Sequence, residues 1–225
     1  MMDRIESLPL FPLSDVVLLP EVSVPLNVFE PRYRQLTREA LAGARQIGMV
    51  TVHPDGLSDM GGDPPLYPVG CLGRIERVEE QPDGTFRILL QGERRFSILE
   101  EHPRAGDRLY RCARVALLND DTPSDPDDAQ RLEARRDELL ALLERLVAGV
   151  DRDGAAAEAL DAFERLGPAR MVNALTQAIA FMPAERQRLL ESDTILGRFE
   201  TMLDLLRFRL AEVRAGEGGS GHLRH

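Results

Sequence analysis

Apolar residues recur at every second position in several stretches of the first half of the chain, which is the period of a half-buried β-strand. One stretch covers residues 69–75, a second covers 86–90, and a third begins at Phe96. The sequence Gln-Pro-Asp-Gly at 81–84 favours a turn between the first two, because proline presets φ and glycine accepts a positive φ. We therefore predict a β-hairpin here. Two further strands are predicted at residues 48–53 and 109–118.

The period becomes helical in the second half of the chain. Residues 119–128 form an acidic, turn-rich segment in which Asp125 is suited to cap a helix and Pro126 to open it. Apolar residues then recur every three to four positions, which is typical of helices that each bury one face. The pattern predicts three parts, namely a β-rich domain at 1–118, a helical bundle domain at 119–214 and a disordered tail at 215–225.

One helix is predicted inside the β-rich half. Pro31 suits its first turn, and Tyr33, Leu36 and Ala40 share an apolar face at helical spacing. This helix must bury that face against the strands, so the β-rich half is expected to carry a helix on its surface.

Charge and composition exclude several kinds of enzyme. Acidic residues outnumber basic ones by 38 to 28, and the resulting formal charge of −10 disfavours general nucleic-acid binding. Every basic residue is arginine, since the sequence contains no lysine. A P-loop nucleotidase, a Ser-Lys protease and a Schiff-base enzyme each need a lysine, so these three classes are excluded.

The cysteines and the N-terminal sequence point to one cellular compartment. Cys71 and Cys112 lie in predicted strands without CxxC spacing, as expected for buried thiols in a reducing environment. The first ten residues lack the apolar core of a secretory signal, and no apolar run is long enough to span a bilayer. We expect a cytoplasmic protein that does not bind membranes.

Four sequence motifs resemble one known family. They are Leu-Pro-Leu-Phe-Pro-Leu at 8–13, Phe-Glu-Pro-Arg-Tyr at 29–33, Gly-Glu-Arg-Arg-Phe at 92–96, and a segment at 181–191 that contains Gln-Arg-Leu-Leu-Glu. In combination they are similar to the N-terminal substrate-recognition domain of the Lon ATP-dependent protease. The resemblance covers roughly residues 5–212.

The resemblance implies an α+β fold, with a PUA-like β pseudo-barrel followed by an α-helical bundle. It also implies that the chain binds unfolded or specific polypeptides, in some settings together with a protease complex, and needs no cofactor or metal. The ATPase and peptidase activities of full-length Lon are not carried over, because their nucleotide-binding loop and catalytic dyad need lysine. We therefore expect a substrate-recognition or adaptor protein that is not an enzyme.

The motif residues invite a functional and a structural interpretation. A carboxylate beside an arginine and an aromatic ring could grip a peptide, but we favour a structural role for the motif at 29–33. Phe29 and Tyr33 are four residues apart and can both face a core. Glu30 can cap the helix, and Arg32 can pair with Glu30. The motif residues expected to be structural are Phe11, Pro12, Phe29, Glu30, Arg32, Tyr33, Arg95 and Phe96.

Arg94 and Arg95 occupy neighbouring positions of a predicted strand. Neighbouring side chains of a strand point to opposite faces, so at most one of the two is expected to be buried and paired. The other is expected to face solvent.

The Pro- and Gly-rich segment at 54–68 is the best candidate for a contact surface. Loops of this length within a compact domain are usually functional or disordered. Met60 adds a flexible apolar side chain where solvent is expected, which suits the binding of varied partners. The predicted polypeptide-binding residues are Leu57, Met60, Leu66 and Tyr67.

Two alternatives from other functional classes remain open at this stage. A PUA-like module could bind RNA through an arginine strip, and a pocket in the barrel could hold a small ligand or perform chemistry. His53, Asp55 and Cys71 could meet at a metal, although their spacing does not require it. The arginines of the strip are Arg104, Arg108, Arg111 and Arg114.

Overall fold

The computed structural model describes residues 3–120, 123, 125–148 and 155–219, in six strands, six α-helices and one 3₁₀ helix. The strands are β1 (Arg4–Leu13), β2 (Ser23–Val28), β3 (Gln46–Thr51), β4 (Val69–Glu80), β5 (Phe86–His102) and β6 (Arg111–Leu117). The α-helices are α1 (Pro31–Ala42), α2 (Pro126–Ala148), α3 (Ala155–Glu164), α4 (Pro168–Ala178), α5 (Pro183–Glu191) and α6 (Ile195–Gly219). The 3₁₀ helix is Pro54–Asp59.

The strands form a sheet that closes on itself. Its order is β2-β5-β4-β3-β1-β6, and β6 also pairs with β5, so five strands complete a ring to which β2 is added. The pair β1–β3 is parallel and the other pairs are antiparallel. A closed ring leaves few strand edges exposed. The α+β class and the β pseudo-barrel predicted from the sequence are confirmed.

The predicted hairpin is present, but its second strand is longer than the alternation indicates. β4 and β5 pair antiparallel and are joined by a turn in which Gly84 has a φ of 75°. The stretch predicted to be a separate third strand from Phe96 is part of β5, so that prediction is wrong. The register of β4 against β5 shifts between Leu72 and Gly73, and this bulge changes which residues face inward without ending the strand.

Two apolar clusters lie on the two faces of the barrel wall. The first draws Leu8, Leu10, Phe96 and other residues from all five strands of the ring, and it therefore fills the barrel interior. The second contains Phe11 of β1 together with residues of α1 and α5, and it covers the outer face. Alternation along β1 thus supplies both clusters.

The helix predicted from Pro31 is confirmed as α1. Tyr33, Leu36 and Ala40 are buried on one face, as their spacing predicts. The predicted strands at 48–53 and 109–118 are also observed, as β3 and β6.

Contacts divide the chain into two compact units. The strand-rich unit contains residues 1–120 and 173–191, and the helical unit contains 121–172 and 192–225. The second half of α4 and the whole of α5 therefore group with the strands. The sequence predicts one boundary, after residue 118, whereas each of these units is made of two separate stretches of the chain. The domain boundary at residue 118 stays a prediction.

In the strand-rich unit, Gln187 fastens α5 to the sheet. Its side chain is buried, accepts a hydrogen bond from the Thr51 hydroxyl at 2.7 Å and donates one to the Val69 carbonyl at 3.0 Å. Buried amides of this kind must find partners, so Gln187 sets the position of α5 on β3 and β4.

In the helical unit, α2 packs against α6 and α3. Asp125 accepts a hydrogen bond from the Asp127 amide at 2.8 Å, so the predicted cap is confirmed. Helix α6 continues to Gly219, and the remainder of the predicted disordered tail, residues 220–225, lies outside the described residues. Among the described helices, none has the length and hydrophobicity of a bilayer span.

Candidate functional site

A narrow cleft in the strand-rich unit brings the Phe-Glu-Pro-Arg-Tyr motif and the Pro- and Gly-rich loop together. The first turn of α1 forms one wall, the loop at 60–64 forms another, and the segment leading into β6 forms the third. Its volume is about 10 Å³, which is room for about one water molecule. The lining includes Arg32, Tyr33, Met60, Arg104, Leu109 and Tyr110.

The loop is fixed in place by hydrogen bonds from the motif. Arg32 donates to the Met60 carbonyl oxygen at 2.7 Å and pairs with the Glu30 carboxylate at 2.8 Å. Only 18% of the Arg32 side chain is exposed, so this guanidinium is committed to protein partners. The predicted Arg32–Glu30 pair is confirmed.

Two further arginines hold the loop from the other side. Arg111 donates to the Pro64 carbonyl oxygen at 2.6 Å and pairs with Glu101 at 2.6 Å. Arg104 forms an ion pair with Asp63. The loop is therefore an ordered wall of the cleft.

Tyr33 forms the buried floor of the cleft. Its hydroxyl donates to the Pro12 carbonyl at 3.1 Å, its ring centroid lies 4.2 Å from that of Phe11, and the Arg32 guanidinium carbon lies 4.7 Å from the Tyr33 ring centroid. Burial raises the pKa of Tyr33 to about 12, because the phenolate would lose its hydration. Phe11, Pro12 and Tyr33 thus have the structural contacts that the motif suggested.

Tyr110 lines the same cleft as Tyr33, and its hydroxyl has a different hydrogen-bond partner. Its hydroxyl donates a hydrogen bond to the Glu39 carboxylate of α1. Burial, together with this hydrogen bond, raises the pKa of Tyr110 above its ordinary value. Both tyrosines of the cleft are therefore neutral in the folded protein at physiological pH.

We expect the protein to lose stability as the pH rises above 10. Between pH 10 and 12 the unfolded chain gives up tyrosine protons that the folded chain keeps on Tyr33, so the unfolded state is favoured. The free energy of unfolding should fall by up to about 1.4 kcal/mol per pH unit for each tyrosine. Urea unfolding at about pH 8 and about pH 11 measures this loss.

Tyr33→Phe provides the control for this titration. The variant loses a hydrogen bond at neutral pH but should show a flatter decline above pH 10. No lysine is present to titrate in the same range. An equally steep decline in Tyr33→Phe would contradict the assignment.

The structure separates the four loop residues predicted to bind polypeptide. Leu57 is 50% exposed on the 3₁₀ helix, and Met60 lines the cleft. Leu66 instead packs against the barrel-interior cluster and bridges Val52, and Tyr67 is half-buried with its ring centroid 5.1 Å from that of His53. Leu57 and Met60 are three residues apart, which places them on one side of the 3₁₀ turn.

Two expectations for the motif at 29–33 are wrong. Phe29 is 66% exposed and does not share the core with Tyr33, because α1 begins at Pro31 and helical spacing does not extend back to Phe29. Glu30 occupies the N-cap position, but its side chain makes no capping hydrogen bond. That carboxylate is turned to Arg32 instead.

The arginine pair in β5 divides as its alternation predicts. Arg95 is 2% exposed and pairs with Asp120 at 2.8 Å, whereas Arg94 is half-exposed and pairs with Asp3 at 2.9 Å. Phe96 points into the barrel interior. Arg95 and Phe96 therefore support the wall from opposite faces.

Sequence reasoning missed Leu109 and the pairing of Arg104 with Asp63. The sequence predicts Leu109 within a strand, but β6 starts at Arg111, so Leu109 precedes the strand and is 50% exposed. Arg104 and Asp63 are 41 positions apart. The short Pro- and Gly-containing segment before Leu109 was the one available indication of a loop.

The predicted basic strip is largely neutralised by carboxylates. Three of its four arginines form ion pairs, and Arg108 donates to the Pro103 carbonyl at 2.8 Å. The pairs are Arg104–Asp63, Arg111–Glu101 and Arg114–Glu100.

The candidate metal ligands do not assemble. His53 lies 3.2 Å from Asp55, while Cys71 is buried in the outer-face cluster. Within the part of the chain that the structure describes, no three histidine, cysteine or acidic side chains are placed to hold a metal ion.

The fold and the cleft define an α+β protein in which a closed β pseudo-barrel carries an arginine-bounded site. Its sequence matches the family described as the ATP-dependent protease La (LON) substrate-binding domain over residues 7–207. The chain belongs to this family, and the resemblance seen in the sequence motifs is confirmed.

Individual relatives agree with this assignment. The chain is 27% identical to the Lon protease of Flavobacterium johnsoniae over 209 residues, which cover 92% of this chain and 24% of the relative. It is 29% identical to the Lon protease of Trichlorobacter lovleyi over 202 residues, which cover 89% of this chain and 24% of the relative. The chain therefore spans about a quarter of the length of these curated relatives.

Solved structures share the architecture. A Lon N-terminal domain protein from Xanthomonas campestris is similar with a TM-score of 0.59 and 27% identity, over 89% of this chain and 98% of that one. The N-terminal domain of the Mycobacterium avium complex Lon protease has a TM-score of 0.68 at 20% identity, over 90% and 98% of the two chains. This second likeness concerns the fold alone.

Proposed function

We propose that this chain binds polypeptide segments without catalysing a reaction, as a substrate-recognition or adaptor protein. The observation that carries the proposal is the presence of large, half-exposed apolar side chains on the two loops that meet at the cleft. Leu57 and Leu109 are each 50% exposed, and Met60 lies at the cleft. We call Leu57, Met60 and Leu109 the apolar rim.

The geometry of the rim suits an unfolded segment. Covering exposed leucine and methionine side chains with apolar groups of a partner lowers the free energy of the complex, because apolar surface is removed from water. Methionine also adapts to partners of varied shape. The membership of the chain in a substrate-binding family supports the same function. We further propose that the chain assembles with a protease and that its binding activity supplies polypeptides to that protease.

Features of the site favour this function over the alternatives. A cleft of about 10 Å³ is far smaller than the several hundred Å³ of a typical small-molecule site. The arginines of the predicted strip are mostly paired with carboxylates, so they offer little free charge to the phosphates of RNA.

The direct test is fluorescence anisotropy of a labelled, permanently unfolded polypeptide titrated with the protein at low and high salt. We expect saturable binding that survives high salt, because apolar contacts are little screened. Replacing Leu57, Met60 and Leu109 together by serine should weaken binding by about 10- to 100-fold, since each lost contact is worth about 0.5–1 kcal/mol of binding free energy.

The matched control is Leu99→Ser, which alters a leucine that is 43% exposed on β5 and does not line the cleft. This variant should bind as the wild type does. Urea unfolding followed by tyrosine fluorescence verifies folding, because all three tyrosines lie in the strand-rich unit. Undiminished binding by the triple variant would refute the apolar rim, and binding that disappears in high salt would show that charged contacts, not apolar ones, hold the polypeptide.

A further inference from the structure

We propose that the mouth of the cleft, where Arg104 and Leu109 are partly exposed, recognises the terminal carboxylate of a polypeptide that ends in an apolar residue, which lies on the surface and does not enter the cleft. Arg104 would bind the carboxylate, while Leu109 and Met60 would contact the last side chain. This inference rests on the proposed function and narrows its substrate class. It identifies Asp63 as an internal carboxylate that occupies Arg104 until a ligand replaces it.

The three arginines of the cleft differ in how firmly they are held. Side-chain exposure is 12% for Arg111 and 18% for Arg32, and both donate to loop carbonyls as well as to a glutamate. Arg104 is 43% exposed and its partner Asp63 is 55% exposed. Ion pairs between exposed side chains contribute little to stability, so a ligand carboxylate can displace Asp63 at small cost.

The chemistry of the exchange is balanced in charge. The carboxylate of the ligand takes the place of the Asp63 carboxylate on the same guanidinium, and the planar Arg104 fork accommodates either one. No group needs to change its protonation state, and Asp63 returns to solvent. A ligand with an amidated terminus offers no such carboxylate.

The apolar contact beside Arg104 is preorganised. The Gln35 side chain accepts a hydrogen bond from the Leu109 amide at 2.8 Å and donates one to the Asp107 carbonyl at 3.2 Å. These bonds fix the segment before β6 onto α1, so the backbone that carries the exposed Leu109 side chain is held in place before a ligand arrives. Met60 lines the same cleft, and its carbonyl is bound by Arg32.

The test compares two labelled peptides of identical sequence that end in leucine, one with a free carboxylate and one with a terminal amide. We expect the free acid to bind about tenfold more tightly to the wild-type protein, which is the effect of one charge-assisted hydrogen-bonded contact. Arg104→Gln should remove this difference. Asp63→Asn should strengthen binding of the free acid several-fold and leave the amide unchanged, because the internal competitor is gone.

Opposite effects of the Arg104 and Asp63 variants distinguish carboxylate recognition by Arg104 from a purely structural role of the Arg104–Asp63 ion pair. If the Arg104–Asp63 pair only held the loop, both variants would change binding in the same direction and for both peptides. Arg94→Gln is the control, since it breaks another half-exposed ion pair that does not line the cleft. It should leave both affinities unchanged.

Two outcomes of the peptide comparison separate the carboxylate inference from the proposed polypeptide binding. Equal binding of acid and amide by the wild type overturns the carboxylate inference and leaves general polypeptide binding intact. Failure to bind either peptide also overturns the inference, and it contradicts the proposed function as well if the unfolded polypeptide is not bound in the same assay.

Discussion

Replacing Arg95 with alanine should lower the free energy of unfolding of the strand-rich unit by about 3–5 kcal/mol. Arg95 is 2% exposed, pairs with Asp120 at 2.8 Å and donates to the Leu190 carbonyl at 3.0 Å. Alanine would leave the mostly buried Asp120 carboxylate and the Leu190 carbonyl without these partners. The loss of these two contacts by largely buried groups, and the cavity left by the side chain, account for the large loss.

The neighbouring residue provides a matched control for this variant. Arg94 pairs with Asp3 at 2.9 Å, but these side chains are 36% and 68% exposed. Arg94→Ala should therefore cost less than about 1 kcal/mol. The double variant Arg95→Leu with Asp120→Asn should recover part of the stability lost in Arg95→Ala, because no charge is left buried. Urea unfolding monitored by tyrosine fluorescence measures all three, and equal losses in the two alanine variants would refute the argument.

Arg95 also explains why parts distant in sequence group in one unit. Its guanidinium reaches α5 through Leu190 and the segment after β6 through Asp120, while Gln187 reaches β3 and β4 from α5. The two contacts of Arg95 join β5 to residues that lie 25 and 95 positions away in the sequence. Periodicity alone therefore cannot place α5 with the strands.

The hairpin and α1 were predictable because their signals are local. Alternation with a Pro-Asp-Gly turn predicts β4 and β5, and the spacing of Tyr33, Leu36 and Ala40 predicts α1. The continuation of β5 beyond Gly92 was not predictable in this way. A bulge shifts the alternation by one position, so one strand reads as two.

The candidate site was predictable only in part, for the same physical reason. A long Pro- and Gly-rich loop in the sequence predicts Leu57 and Met60 as contact residues, and the structure places Met60 in the cleft lining and Leu57 half-exposed nearby in sequence. Arg104 was noted in a basic strip, but its pairing with Asp63 is a tertiary contact across 41 positions. The position of Phe29 does not follow from helical spacing, because Phe29 precedes the first residue of α1.

Gly92 marks the place where a backbone segment crosses β5 closely. Its amide donates to the Val22 carbonyl at 2.8 Å, and its carbonyl accepts from the Glu21 amide at 2.9 Å. A Cβ atom at Gly92 would lie 2.0 Å from the Leu19 carbonyl oxygen, a distance that no side-chain rotation can relieve because the Gly92 backbone fixes the Cβ position and the oxygen belongs to the Leu19 backbone. Glycine is therefore required here for close approach.

Gly92→Ala should accordingly destabilise the strand-rich unit by about 3 kcal/mol or more, through overpacking and weakening of the two hydrogen bonds. The control is Gly61→Ala, because a Cβ atom at Gly61 meets nothing within 4 Å. That variant should change stability by less than about 0.5 kcal/mol. The midpoint of urea unfolding, read from tyrosine fluorescence, compares the two. Gly92 sits just before the stretch that positions Arg95 and Phe96, so Gly92→Ala should also loosen their contacts. A variant as stable as the wild type would show that the segment at 19–22 moves freely away from β5.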